Sequence, residues 1–180
     1  MVAIVTGNQL GLAGSSSSTL GGAGQLGNAA LGQANEAAYV NAKTGNLTIQ
    51  RQDEILIGRG PDIGVVRTYN SQGLTDFDNN DNWQLSLYRQ LSNLTGTLNT
   101  ASSTLIRIGA DGAQLTYSYD STAGSPTLGK YVNKDGTGSY DTLTYDVPNK
   151  RWTWEDGDTR IKEVYNTADA SVTAIGLPLV

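Results

Sequence analysis

The chain has 180 residues, with 12 Lys and Arg against 17 Asp and Glu, so its formal net charge is −5 and its pI is about 4.5. It contains no His and no Cys, which excludes histidine triads, imidazole metal sites, thiol catalysis, disulfides and zinc fingers. An acidic chain is a poor partner for nucleic acid, and no apolar run reaches the length of a membrane-spanning helix. We therefore expect neither a nucleic-acid partner nor a membrane span.

The charges divide the chain into three segments, because all of them lie in its middle part. We predict a low-complexity N-terminal arm at 1–37 that is uncharged as far as residue 35, a β domain at 38–169 and an apolar C-terminal strand at 170–180. The arm is rich in Gly, Ser and Leu. A flexible linker is the alternative, but regularly spaced Leu residues favour an arm that packs against other apolar groups. The only helix that the pattern allows is a short one over 25–38.

From residue 38 onward the sequence alternates between strands and turns. Leu47 to Gln50 alternates with period two after a turn signal at 43–46. Further strands are predicted at 55–57, 63–69, 83–88, 104–108, 114–119, 140–145, 151–155 and 159–165.

Three Asp-Gly pairs each lead into a Tyr-containing strand in the second half of the chain. They lie at 111–112, 135–136 and 156–157. Asp-Gly is typical of the type I′ turns that close two-residue hairpins, since both central residues of such a turn need a positive φ. The near-regular spacing predicts an all-β, antiparallel hairpin meander.

Residues 39–73 resemble the opening of bacterial RHS/YD-repeat exoproteins. The similarity lies in Val40-Asn41, Thr44-Gly45-Asn46, Gly58-Arg59-Gly60 and, above all, Arg67-Thr68-Tyr69-Asn70-Ser71. Further along, the stretch Tyr117-Ser118-Tyr119-Asp120 is similar to the core of the repeat itself.

The resemblance implies a secreted or cell-surface protein whose repeats form one continuous β-sheet, often a shell around a toxin. The chain is too short to close a shell, and it lacks the C-terminal core of the family with its self-cleaving aspartates. No catalytic residue is therefore carried over. The start of the chain shows no Sec signal peptide.

An acidic loop is the best candidate for a metal site. Asp76, Asp78 and Asp81 lie close together in a stretch that is rich in Asp and Asn. An EF-hand is rejected because its sixth position is Asp81 instead of Gly and its twelfth is Leu87 instead of Glu. A weak calcium loop remains open beside a plain polar loop, and no other cofactor is expected.

Two tryptophans are the best candidates for a ligand surface. Trp152 and Trp154 project to the same side of one predicted strand, where they can form either a glycan-binding platform or part of the core. We expect no enzyme, since the paired carboxylates that glycoside chemistry needs have no obvious counterpart. Asp53 and Glu54 are adjacent and would point to opposite sides of a strand.

The lone Arg67 lies between apolar residues and Tyr69. We interpret it as a buried structural charge that is paired with Asp53 or Glu54.

The uncharged ends predict self-association. Apolar residues at both ends can add to open sheet edges of another copy, and the assembly strands are predicted at Val2, Ile4, Val5, Val172, Ile175, Leu177 and Leu179. The leading hypothesis is a non-enzymatic structural module that stacks on copies of itself, with a fibre as one outcome, or on the remainder of a longer RHS-like chain. The alternative is a carbohydrate- or surface-binding β module of a secreted toxin or adhesin. In a third arrangement, both ends fold back onto their own sheet.

Overall fold

The computed structural model describes residues 2–7, 10–12, 30–31, 36–57, 63–73, 81–87, 89–110, 112–133 and 140–166. Throughout these ranges the chain is all-β, which confirms the predicted fold class. The predicted helix over 25–38 is wrong where the structure describes it, because Ala30, Leu31 and residues 36–38 lie in strands. In the same ranges, no helix is long and apolar enough to cross a membrane.

The strands follow one another in short steps. Their bounds are β1 Val2–Val5, β2 Ala30–Leu31, β3 Glu36–Asn41, β4 Leu47–Leu56, β5 Ile63–Asn70, β6 Trp83–Leu85, β7 Gln90–Thr95, β8 Thr104–Ile108, β9 Gln114–Tyr119, β10 Leu128–Val132, β11 Thr142–Asp146, β12 Arg151–Glu155 and β13 Lys162–Asn166.

The chain forms two compact units. The first comprises 1–88 with 110–113, and the second comprises 89–109 with 114–180. The structure thus places the division at residues 88 and 89, inside the stretch 38–169 that the sequence analysis treats as one domain.

The first unit holds a sheet in the order β1-β3-β4-β5-β6, with β2 also on β3. β1 runs parallel to β3, and β2 runs antiparallel to it. Val5 and Tyr39 are buried together, and Leu12 and Ala37 pack against them. Part of the predicted arm is therefore built into this sheet.

The second unit is a seven-stranded antiparallel meander in the order β13 to β7. Inward and outward side chains alternate along its strands, as the burial of Leu143 and Tyr145 in β11 and of Trp152 and Trp154 in β12 shows. Such alternation is what a sheet with one covered face requires.

The hairpin turns differ from the predicted type I′. Three of them have four-residue loops that begin after an Asn or Asp whose side chain accepts main-chain N–H groups of the loop. The last loop residue has a positive φ in each case, and the pairs are Asn41 with Gly45, Asp146 with Lys150 and Asp156 with Arg160. The hairpin at Asp156-Gly157 is confirmed, but its two-residue turn is wrong, because the positive φ falls on Arg160. Asp111 and the pair at 135–136 lie outside the described residues.

Candidate functional site

The predicted calcium loop falls mostly outside the described residues, since Asp76 and Asp78 belong to the stretch 74–80. Asp81 is described and exposed, and its Oδ1 accepts a hydrogen bond from the Trp83 N–H at 2.9 Å. Across the ranges that the structure covers, no group of three or more metal-ligating side chains comes together.

The glycan platform at Trp152 and Trp154 is corrected by the structure. The exposed fractions of the two residues are 0% and 7%. Trp152 packs between Tyr145, at a ring distance of 4.6 Å, and Tyr131, at 5.3 Å. A ring that is covered by protein on both sides offers no face to a sugar, so these tryptophans serve as core.

A buried ionic cluster lies beside Trp154. Glu163 on β13 accepts hydrogen bonds from Arg107 Nη2 at 2.6 Å and from Arg107 Nε at 3.2 Å, both through its Oε2. Tyr165 donates its hydroxyl proton to the same oxygen at 2.5 Å. Arg89 donates to Oε1 at 2.7 Å. We call Arg89, Arg107, Glu163 and Tyr165 the Glu163 cluster.

A chain of polar contacts continues from the cluster into the core. The guanidinium of Arg107 lies 3.5 Å from the ring centre of Trp154. The Trp154 indole N–H donates to the Tyr117 hydroxyl at 2.9 Å, and that hydroxyl donates to Asp141 at 3.4 Å. Asp141 also accepts a hydrogen bond from the Gly157 N–H.

The Glu163 cluster requires the second sheet to curl. β8 and β13 are five strands apart in the sheet order, and five spacings in a flat sheet measure about 24 Å. Two extended side chains cannot bridge that distance, yet Arg107 and Glu163 are in direct contact. The covered face must therefore be concave, and the cluster ties its two sides together.

Burial sets the protonation of these groups. Burial alone would lower the pKa of Arg107, but Coulombic attraction from Tyr165 and Glu163 raises it above its usual value. Burial raises the pKa of Tyr117 and of Tyr165. It also raises the pKa of Asp141, although the Gly157 N–H opposes that shift. At neutral pH the two tyrosines are proton donors and Arg107 is a fixed cation.

The Glu163 cluster is built to hold charge in place. Both oxygens of Glu163 are engaged, and Glu163 and Arg107 are only 4% and 6% exposed. An arginine with a raised pKa does not exchange its proton in the physiological range. The arrangement therefore links strands and orients side chains.

A second buried cluster lies in the first unit and centres on Asn70. Its Oδ1 accepts hydrogen bonds from the Gly11 N–H, the Asn46 side chain and the Thr48 hydroxyl, at 2.9 to 3.1 Å. Its Nδ2 donates to the Gly112 carbonyl at 2.8 Å. One amide thus joins residues from four separate segments of the first unit.

The N-terminal assembly strand pairs within its own chain. Val2 to Val5 align with Ala38 to Asn41 in parallel register. Val5 is buried, whereas Ile4 is 37% exposed. In this copy the strand thus folds back onto its own sheet, which is the third arrangement considered in the sequence analysis. Val172, Ile175, Leu177 and Leu179 lie outside the described residues.

The pairing of Arg67 is confirmed, but its predicted burial is wrong. Arg67 Nη2 donates to Asp53 Oδ1 at 2.9 Å, and the arginine side chain is 41% exposed. Arg67 lies directly opposite Arg51, and Asp53 occupies the register shift between Gln52 and Glu54. The bulge places the Asp53 carboxylate between the guanidinium groups of Arg51 and Arg67.

Strands β4 and β5 extend beyond their neighbours. β3 pairs with β4 only from Leu47 to Gln50, and β6 pairs with β5 only from Arg67 to Tyr69. The remainder, 51–56 with 63–66, is a two-stranded ribbon that no further strand flanks in the described residues. Ile55 and the following Ile57 are 53% and 83% exposed.

Sequence reasoning missed the residues of both clusters. A signal did exist for the Glu163 cluster, because Arg107 interrupts the apolar run at 105–108 and Glu163 lies between Ile161 and Val164. A charge within an alternating strand, at a position of inward parity, indicates a buried pair.

The chain has no counterpart in the comparisons with known proteins: no protein-family model, no curated protein and no solved structure matches it.

Proposed function

We propose that the protein is a non-enzymatic structural module of an extracellular, RHS-like bacterial protein, and that it extends its β-sheet by stacking on further repeats or on copies of itself. The family and the location rest on the sequence resemblance alone. The stacking rests on the edges of the second sheet.

The observation that carries the proposal is the regular edge strand β13. It pairs with β12 at five consecutive positions without a register shift, from Glu155 with Lys162 to Arg151 with Asn166. No strand covers its other side in the described residues. A regular edge of this kind, with no bulge to interrupt its backbone donors and acceptors, is a template for another strand.

The opposite edge of the same sheet is less suited to pairing. β7 has a register shift between Ser92 and Thr95, and Asn93 within it has a φ of 52°. Such a bulge interrupts the row of backbone donors and acceptors. The two edges differ, so association would be directional, and a directional contact propagates unless it closes into a ring.

The hydrogen bonds of the buried polar side chains also support a structural role, because they link strands to one another. Arg107, Glu163, Tyr117 and Asn70 all bond to groups of their own unit. The surface instead presents apolar groups such as Ile57 at the end of the β4–β5 ribbon.

A pair of charge variants tests the edge. Val164 is on β13 and aligns with Thr153 on the interior strand β12, so both side chains lie on the same outer face. We expect Val164→Lys to weaken self-association in sedimentation velocity, because a lysine on an edge strand opposes pairing. Thr153→Lys is the matched control and should associate like the parent chain. Equal association of all three proteins would refute stacking through β13.

Removal of residues 171–180 tests the predicted C-terminal assembly strand separately. If that segment is the strand that adds to β13 of the next copy, the shortened chain is a monomer that still binds to the intact protein. If the shortened chain associates as before, the donor is another segment.

A further inference from the structure

One carboxylate, that of Glu163, links the two sides of the concave face of the second sheet. Glu163 on β13 is the only acid whose oxygens contact Arg107 or Arg89 within hydrogen-bonding distance in the described part of the chain. Arg107 belongs to β8, and Arg89 directly precedes β7. Glu163 therefore joins one edge of the sheet to elements at the opposite side.

The charged and titratable groups that face Glu163 come from three elements. They are Arg89 before β7, Arg107 on β8 and Tyr165 on β13. Behind Arg107 lie Tyr117 and Asp141, and Arg107 also attracts the carboxylates of Asp141 and Asp156 electrostatically. Among the residues that the structure describes, Glu163 is the one carboxylate that forms ion pairs with both guanidinium groups.

We propose that Glu163 is an acid-sensitive clasp, whose protonation releases Arg89 and Arg107. We call the side-chain contacts between β13 and β8 across the concave side the seam. On protonation the seam opens, while β9 to β12 remain paired. An arginine keeps its charge at every pH that proteins experience. With a neutral Glu163, Arg107 is a buried cation without a hydrogen-bonded counterion, which is unfavourable. Water can reach the guanidinium only if the concave side opens.

The interior strands have no comparable dependence on this carboxylate. β11 aligns with β10 and with β12 at five positions each. The other ion pairs that the structure describes in the second unit join Glu155 to Arg160 and Lys162, are 3.3 to 3.5 Å long and are open to solvent, since the side chains of Arg160 and Lys162 are 73% and 59% exposed and that of Glu155 is 29% exposed. Exposed pairs of this type contribute little to stability.

The proposal is tested by two-dimensional NMR of the intact chain during an acid titration. The Trp154 indole N–H, which lies under Arg107 and bonds to Tyr117, reports on the seam. The main-chain amides of β10 and β11 report on the interior. On protonation we expect the protection of the Trp154 indole N–H from hydrogen exchange to fall about a hundredfold or more, while the β10 and β11 amides change less than tenfold.

Two variants assign the effect to Glu163. Glu163→Gln keeps the shape without the charge, so the indole should already exchange rapidly at neutral pH and lose its acid dependence. Glu155→Gln, on the neighbouring strand, also removes a carboxylate that bridges two cations, but a partly exposed one whose partners are exposed, and it should behave like the parent chain.

Three results would overturn the proposal. One is an acid transition in which the Trp154 indole and the β10 and β11 amides lose protection together. Another is a Glu163→Gln protein that retains the parental protection and acid dependence. The third is a Trp154 indole N–H that keeps its protection through the whole acid range in which the parent chain stays folded. This last result decides also if Glu163→Gln does not fold, with Glu155→Gln as the control.

Discussion

Arg107 and Trp154 are stacked with the guanidinium 3.5 Å from the ring centre, although their strands, β8 and β12, are four places apart in the sheet. The contact is possible because the sheet curls around its own aromatic core. The same arginine is fixed at its other side by Glu163. A cation is thereby held between an aromatic face and a carboxylate, both of which favour its charged form.

Removal of one partner of the ion pair should destabilise the second unit strongly. We expect Glu163→Leu to lower the free energy of unfolding by about 3 to 5 kcal/mol, because Arg107 is left buried and unpaired. The double variant Glu163→Leu with Arg107→Leu should be clearly more stable than that single variant, since no buried charge remains. Urea unfolding followed by tryptophan fluorescence measures both, and a double variant that loses more than Glu163→Leu alone would contradict the role of the unpaired charge.

Asp141 should make stability depend on pH in a defined direction. Burial raises its folded-state pKa above the ordinary value of about 3.9. The native state therefore binds this proton more tightly than the unfolded state does. Relative to Asp141→Asn, the parent protein should gain stability as the pH falls through the raised pKa, with the difference constant below about pH 3.9. The test is urea unfolding of both proteins across the acid range; a difference that moves in the opposite direction would show that the carboxylate is stabilised in the fold.

Asn70 should tolerate neither charge nor loss of its amide. In Asn70→Asp the group that donates to the Gly112 carbonyl is replaced by an oxygen, which leaves a buried acceptor unpaired. We expect a loss of about 1 to 3 kcal/mol or more in the first unit. Asn93→Asp is the control, because Asn93 is exposed. Thermal unfolding should separate the two variants, and equal melting temperatures would refute the role of Asn70 as a hub.

Gly112 should be sensitive to a single methyl group. Its φ is 74°, and a Cβ on this residue would lie 2.8 Å from Thr68 Cγ2. Gly112→Ala is expected to cost about 1 to 3 kcal/mol through strain and close contact. Gly64→Ala is the matched control, since the nearest atom to its Cβ would be 3.7 Å away and its φ is unexceptional. A Gly112→Ala protein as stable as Gly64→Ala would contradict the close approach of Gly112 to Thr68 on β5.

The sequence predicts most of the strands because alternation is strong where one face is buried. Leu143 and Tyr145, and likewise Trp152 and Trp154, are inward residues separated by one outward residue. Two strands of the second unit escaped prediction. β10 contains Gly129 and Lys130, and β7 contains Ser92 and Asn93, so their composition is typical of a loop. Only their neighbours in the sheet make them strands.

The clusters could not be predicted for a different reason. Arg107 and Glu163 are 56 residues apart, and their contact depends on the curl of the whole sheet. The four-residue loops also depend on backbone conformations that no short motif specifies, since Lys150 and Arg160 adopt a positive φ without being Gly or Asn. The tryptophans were placed correctly on one face, but the sequence does not say that the face is covered.

The most direct test of the structural role is the mass of the intact chain in solution, measured by light scattering over a wide range of protein concentration. The proposed stacking predicts that the mean mass rises well above the 19.0 kDa of one chain as the concentration increases. It also predicts that Val164→Lys suppresses this rise and that Thr153→Lys does not. A mass that stays at 19.0 kDa at high concentration would contradict self-assembly through β13.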